Sequence, residues 1–197
     1  MKGEIKVENI ERMKAEIHEN AVAHGWWEES RSFGEICSLI HSELSEALEE
    51  YRNGMPGVYV VGEFGITPIT AEQWEEGEKP EGIDVELADA VIRILDYMGE
   101  KGIEYVEAAN DLFRIQPDET RFGDFLAFCH SDVADAFVRS KSLSYYDSTA
   151  GVAAALSVCI RRIEDYFERH GEDLAQIIAI KHQYNKERPY RHGGKRL

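Results

Sequence analysis

Apolar residues recur three or four positions apart along most of the chain, the period of an amphipathic helix. Ile10, Met13, Ile17 and Ala21 form one such stripe and predict a helix over 8–24. Ile36, Leu39, Ile40, Leu44, Ala47 and Leu48 form a second, over 32–52, opened by a Ser32…Glu35 capping-box pattern. Val85, Leu87, Ala88, Val91, Ile92 and Leu95 predict a third over 83–99. Further helices fit 103–114, 122–140, 149–169 and 172–186, with Gly99, Gly102 and Gly171 placed where helices end. One stretch, 55–80, breaks the period. It holds Pro56, Pro68 and Pro80, and its VYVV and ITPIT runs suggest a short β-hairpin or an irregular excursion. It reads as an insertion between the second and third helices, either a plain loop or a lid over a site. The fold class expected is all-α.

The helical pattern repeats. Residues 33–52, FGEICSLIHSELSEALEEYR, align without a gap on 122–141, FGDFLAFCHSDVADAFVRSK. His41 and Ser42 recur as His130 and Ser131, and the acids Glu43 and Glu46 as Asp132 and Asp135. Residues 82–98 align on 151–167, so that Arg93, Asp96 and Tyr97 recur as Arg162, Asp165 and Tyr166. Chance helical periodicity does not readily produce His-Ser followed by paired acids. The expectation is one compact domain, 1–197, of two intertwined modules, 1–110 and 111–197, forming a pseudo-two-fold helical bundle with a small insertion at 55–80.

Composition narrows the function. With 43% hydrophobic residues the chain of 197 builds a real core. A net charge of −16 repels bare phosphate backbones, which argues against nucleic-acid binding and gives any phosphorylated ligand reason to bring a cation. No apolar run approaches a membrane span, and the first residues lack an apolar signal core, so a cytoplasmic location without membrane contact is expected. Cys37, Cys129 and Cys159 follow no zinc or redox spacing and read as reduced, buried thiols.

Against that acidic background, four carboxylates stand out by position. Glu43 and Glu46 lie three apart on the second predicted helix, and Glu86 and Asp89 three apart on the third, each pair projecting from one helix face. Most acids on an acidic protein are solvated, as Glu49 and Glu50 read here. These four instead adjoin the apolar stripes, at Ile40, Leu44, Ala47, Leu87 and Ala90. Facing helices would bring them together, and oxygen-only ligands favour Mg²⁺ or Mn²⁺. A di-iron centre would require Glu-x-x-His pairs, which neither helix has. Lys181, Asn185 and Arg188 fall on one face of the last helix, followed by Arg191, His192, Lys195 and Arg196; this basic end suits a metal-balanced polyphosphate. Trp26 and Trp27 close the first helix, where a tryptophan is either core or a stacking surface for a base.

These phrases together, LIHSELSEALEEYR, KPEGIDVELADAVIRILDY and KHQYNKERPYRHGGK, resemble the all-α NTP pyrophosphatase superfamily, which includes MazG-type enzymes and dimeric dUTPases. The resemblance covers most of 26–98 and 172–195. It implies hydrolysis of a nucleoside triphosphate between its α- and β-phosphates, giving monophosphate and pyrophosphate in nucleotide-pool house-cleaning. It further implies that Glu43, Glu46, Glu86 and Asp89 are metal-binding and catalytic, with Mg²⁺ as cofactor. Lys181, Asn185, Arg188 and Arg191 would then contact substrate, and Trp27 and His18 would help form the base pocket. Glu46 is the first candidate for the base that takes the proton of the attacking water.

The chain departs from the single-module pattern. Ala155 and Val158 stand where the second copy would carry Glu86 and Asp89, and Leu112, Gln116 and Glu119 stand where the first would carry Lys181, Asn185 and Arg188. One composite site per chain is expected, in a monomer holding an internal pseudo-dimer or in a homodimer. Two other functions fit the same pattern: a phosphoribosyl-ATP pyrophosphohydrolase-like enzyme, or a catalytically silent nucleotide-binding module. The preferred base is left open.

Overall fold

A computed structural model describes residues 7–107, 121–142 and 145–190. Its described residues form an all-α fold interrupted by a single two-stranded hairpin. In chain order these elements are α1 (Val7–Ala23), α2 (Phe33–Arg52), β1 (Tyr59–Gly62), β2 (Gly65–Pro68), α3 (Ile83–Lys101), α4 (Phe122–Arg139), α5 (Tyr145–His170) and α6 (Leu174–Lys186). None of the helices is long and apolar enough to cross a membrane.

Local chemistry sets the helix ends. Ser32 caps α2 as its spacing predicts: its Oγ accepts from the Glu35 amide at 3.2 Å, and the Glu35 carboxylate accepts from the Ser32 amide at 2.7 Å. Asp173 caps α6 by accepting from the amides of Ala175 and Gln176. α3 does not stop at Gly99. It continues to Lys101 and ends at Gly102, whose left-handed backbone (φ 61°) turns the chain. Gly99 serves the packing instead, because a Cβ there would fall 2.6 Å from the Cβ of His18 on α1. α5 begins before the predicted 149, and the helix expected over 103–114 is not regular over its first four residues; its remainder lies largely outside the described residues.

Contacts along the helices give their directions. Phe33 stacks on Tyr97 with centroids 4.4 Å apart, and further along Glu43 meets Arg93, so α2 and α3 are antiparallel. Phe122 packs on Tyr166 and Asp132 meets Arg162, so α4 and α5 are antiparallel too. The two pairs join through α2 and α4, where Phe33 meets Phe137, Tyr51 meets Phe122, and His41 faces His130 with Nδ1 atoms 2.8 Å apart. α1 and α6 both pack on α3, the most enclosed helix.

The core runs through all six helices. Ile10, Ile40, Leu44, Leu87, Ile94 and Leu95 fill the α1–α2–α3 side, and Leu156, Ile160, Ile163, Phe167 and Ile177 fill the α5–α6 side. All three cysteines are buried and unpaired, as their apolar neighbours imply; burial pushes the Cys37 thiol up to about 11. The 55–80 excursion forms the hairpin, with Val61 opposite Ile66, and then a 3-10 turn at Ala71–Gln73. Ile69 and Trp74 pack against the core, and Glu76 accepts from Gln183 Nε2 on α6 at 2.8 Å, so its second half is docked.

Candidate metal and ligand site

α2 and α3 are joined by apolar contacts on one side, which leaves a strip of carboxylates between them beside α6. Glu43, Glu86 and Asp89 each bring an oxygen within 4.8 Å of the others. Glu46, the fourth predicted acid, stands apart from this trio: it is exposed, and its Oε1 accepts from Ser42 Oγ at 3.0 Å. Two cations lock the cluster. Arg93 Nε, on the same face of α3, donates to Glu43 Oε1 at 2.5 Å, and Lys181 Nζ reaches Asp89 Oδ2 at 2.9 Å from α6.

The electrostatics are those of charges held out of water. Glu43 is only 5% exposed and Lys181 only 4%. Burial, with Asp89 and Glu46 nearby, raises the Glu43 carboxyl despite Arg93. Burial likewise lifts Glu86 to about 8, which Lys181 opposes and Asp89 and Glu43 reinforce. Burial alone would drag Lys181 down, but Asp89 and Glu86 hold its ammonium above the ordinary value. With Glu43, Glu86 and Asp89 ionised, Arg93 and Lys181 leave one negative charge in the cluster, and exposed Glu46, near enough to act on Glu43 and Glu86, adds a second that a divalent cation would balance. The donor set is all-oxygen, so the residues fit a hard divalent ion such as Mg²⁺ or Mn²⁺.

A cleft leads away from the cluster along α3. Asp89 and Arg93 line its near end and Asp96 lies further along. Ile17, Ala21, Ile36, Leu39 and Ile92 supply an apolar wall. Trp26 adds an aromatic face, with the Arg31 guanidinium 4.8 Å from its ring centre. From α6 come His182 and Asn185, and from the turn after it Arg188. Two buried atoms here, His182 Nε2 and Asn185 Oδ1, have no hydrogen-bond partner among the described residues. His182 is held neutral: burial, with Lys186 one turn on, lowers it to about 4.

The predicted residues thus divide. Glu43, Glu86 and Asp89 converge, and Asn185 and Arg188 line the adjoining cleft. Lys181 faces inward onto Asp89 rather than into the cleft. Trp27 and His18 meet on a different atom. Trp27 Nε1 donates to Asp96 Oδ1 at 2.9 Å, and His18 Nδ1 lies 2.9 Å from the same oxygen. Arg191, His192, Lys195 and Arg196 lie outside the described residues, as do Leu112, Gln116 and Glu119.

Sequence reasoning passed over Arg93, Asp96, His182 and Arg31 as site residues. A signal existed for the first two: with Glu86 and Asp89, Arg93 and Asp96 continue one helical stripe at intervals of three, four and three. Nothing in the spacing of Arg31 or His182 distinguishes them from surface residues. No family model, no curated protein and no solved structure matches the chain.

Proposed function

We propose that this protein is a divalent-metal-dependent nucleoside triphosphate pyrophosphohydrolase that cleaves between the α- and β-phosphates. The observation that carries the reading is the convergence of Glu43, Glu86 and Asp89 within 4.8 Å, with Asp89 also lining a cleft that has an apolar wall. The motif resemblance in the sequence supports it, as does the excess of one negative charge among the clustered groups.

On this reading Glu43, Glu86 and Asp89 hold Mg²⁺ or Mn²⁺. When bound, the metal supplies charge neutralisation on the triphosphate and a lowered pKa for a coordinated water. Arg93 fixes the carboxylate plane of Glu43, and Lys181 fixes that of Asp89. Glu46, outside the trio and open to solvent, accepts the proton of the attacking water. Arg188, at the cleft, offsets charge on the departing pyrophosphate. The apolar wall and Trp26 take the base.

We further read the chain as a duplicated module. Arg93–Glu43 and Arg162–Asp132 are ion pairs between aligned residues, and so are the ring contacts Phe33–Tyr97 and Phe122–Tyr166. His41 and His130, also aligned with each other, meet at the middle of the α2–α4 seam, as residues near a pseudo-two-fold axis do. In the second module the positions of Glu86 and Asp89 are filled by buried Ala155 and Val158, which gives one site per chain.

The test is a Mg²⁺-dependent panel of NTPs and dNTPs with pyrophosphate and orthophosphate read separately. Pyrophosphate with monophosphate, lost in Glu43→Gln and on chelation, is the expected result. Orthophosphate alone, or turnover unchanged in Glu43→Gln, refutes the proposal.

A further inference from the structure

The far end of the cleft is built around one fixed acceptor. A carboxylate can only accept hydrogen bonds. Asp96 Oδ1 already receives two of them, from Trp27 Nε1 and from His18 Nδ1, each at 2.9 Å. These donors come from α1 and the turn after it, and they hold the carboxylate in one orientation. Among the described residues no hydrogen bond reaches Oδ2, and Asp96 belongs to the lining of the cleft. Asn185 adds a buried, unpartnered side-chain oxygen. Asn185 does not discriminate by itself, because rotating its amide presents either a donor or an acceptor. Asp96 has no such freedom.

Distance ties this acceptor to the metal cluster. Asp96 follows Asp89 by seven residues, so along the helix axis it lies about 10.5 Å further on. That is the reach from an α-phosphate across the sugar to the outer edge of a base. Ile17, Ile36, Leu39, Ile92 and Trp26 line the intervening cleft, the apolar and aromatic surroundings a flat heterocycle needs.

We infer that Asp96 is the specificity-determining residue of this cleft and that it selects bases carrying an exocyclic amino group, cytosine or adenine, over their oxo counterparts. This rests on the nucleotide reading proposed above and names its substrate class. Cytosine and adenine present an amino donor at the edge where uracil, thymine and hypoxanthine present a carbonyl acceptor. Replacing amino by oxo sets a lone pair against a half-buried carboxylate whose other oxygen is already committed. The ring N–H of uracil is a poor substitute, because it lies between two carbonyl oxygens and brings both toward the same negative charge.

The experiment compares matched pairs. Calorimetry on the full chain with dCMP against dUMP, and dAMP against dIMP, measures base preference without turnover. The same pairs as triphosphates with Mg²⁺ measure it in kcat/KM. The amino member of at least one pair should bind about 100-fold more tightly or better, within what a hydrogen-bonding site achieves against an isostere lacking the donor. Asp96→Asn, whose amide can donate to a carbonyl, should collapse or reverse that ratio while circular dichroism stays native. Trp27→Phe removes one of the two bonds orienting Asp96 and should narrow the ratio in a protein that keeps the carboxylate. Equal or tighter binding of both oxo members, or a ratio untouched in Asp96→Asn, overturns the inference. Turnover without amino preference overturns it and leaves the pyrophosphohydrolase reading standing. Amino preference without turnover supports it and overturns the hydrolase reading.

Discussion

Lowering the pH should unfold this protein through His182, and the size of the effect follows from where that ring sits. His182 is 7% exposed on α6, with Nε2 buried and unpartnered among the described residues and with Lys186 one turn away. A proton on the ring would put a buried cation beside Lys186, with Glu16 opposing only in part. Its pKa is accordingly depressed from 6.5 to about 4. A depressed folded-state value means that the unfolded chain binds the proton first. Stability is therefore fully present above pH 6.5 and lost as the pH falls toward 4. A difference of about 2.5 pK units corresponds to about 3 kcal/mol, with about 2 kcal/mol of it gone by pH 5. His41 and His130 are depressed in the same direction by burial and add to the slope. The assay is urea unfolding between pH 4 and 8 for the wild type and His182→Gln, which cannot titrate. The wild type should lose about 2 kcal/mol more than the variant between pH 7 and pH 5. Parallel pH profiles for the two proteins would refute the argument, since the slope would then belong to other groups.

Three other perturbations probe the site and its support. Lys181→Met leaves Asp89 and Glu86 buried without their ammonium and should cost about 3–5 kcal/mol in the metal-free protein. Adding Asp89→Asn should recover part of that loss, and a thermal double-mutant cycle reads the coupling directly. Gly99→Ala forces a methyl against His18, so it should cost about 1–3 kcal/mol in chemical denaturation and shift the NMR signals of α1. Asp132→Asn weakens the buried pair with Arg162 and should lower the melting temperature, yet leave turnover per folded molecule close to wild type. A loss of activity as deep as in Glu43→Gln would mean that the second acidic pair takes part in the chemistry.

Much of the helical frame was legible because period and caps agree. The stripe from Ile36 to Leu48, opened by Ser32 and Glu35, fixes α2 from both ends, and its predicted span differs from the observed one by a single residue. Gly99 misled because a glycine at the end of a stripe signals a stop, whereas here close approach to His18 requires the missing side chain. The convergence of Glu43, Glu86 and Asp89 was readable from i, i+3 spacing next to apolar stripes. The detachment of Glu46 was not. Glu43 and Glu46 lie only three residues apart, about 300° around the helix, or 60° short of a full turn. Whether both reach α3 depends on the angle at which the helices meet, which no local pattern encodes. The inward turn of Lys181 was hidden for a related reason. Lysine is rarely buried, and only the acids of α3, far away in sequence, make its burial tolerable. His18 and Trp27 were singled out as a pair, yet their common partner Asp96 could be found only once α1 was laid against α3.

The two buried arginine–carboxylate pairs permit a comparison within one molecule. Arg162 and Asp132 meet at 2.8 Å, with apolar Ala155 and Val158 on the same helix as the arginine. Neither position on α5 aligned with Glu86 and Asp89 adds a further acid to that pair. Arg93 and Glu43 make the corresponding contact, but α3 adds Glu86 and Asp89 at the positions aligned with Ala155 and Val158. Lys181 offsets one of those acids. The other is Glu86, which burial lifts to about 8 even though Lys181 opposes the shift. Burying an acid that cannot comfortably ionise brings no packing advantage over alanine or valine, so stability does not account for its presence. The proposed metal, by letting Glu86 ionise, would account for it. On the proposed reading the metal-free acidic cluster is strained and its aligned counterpart is not, so added Mg²⁺ or Mn²⁺ should raise the melting temperature of the wild type and not that of Glu86→Ala.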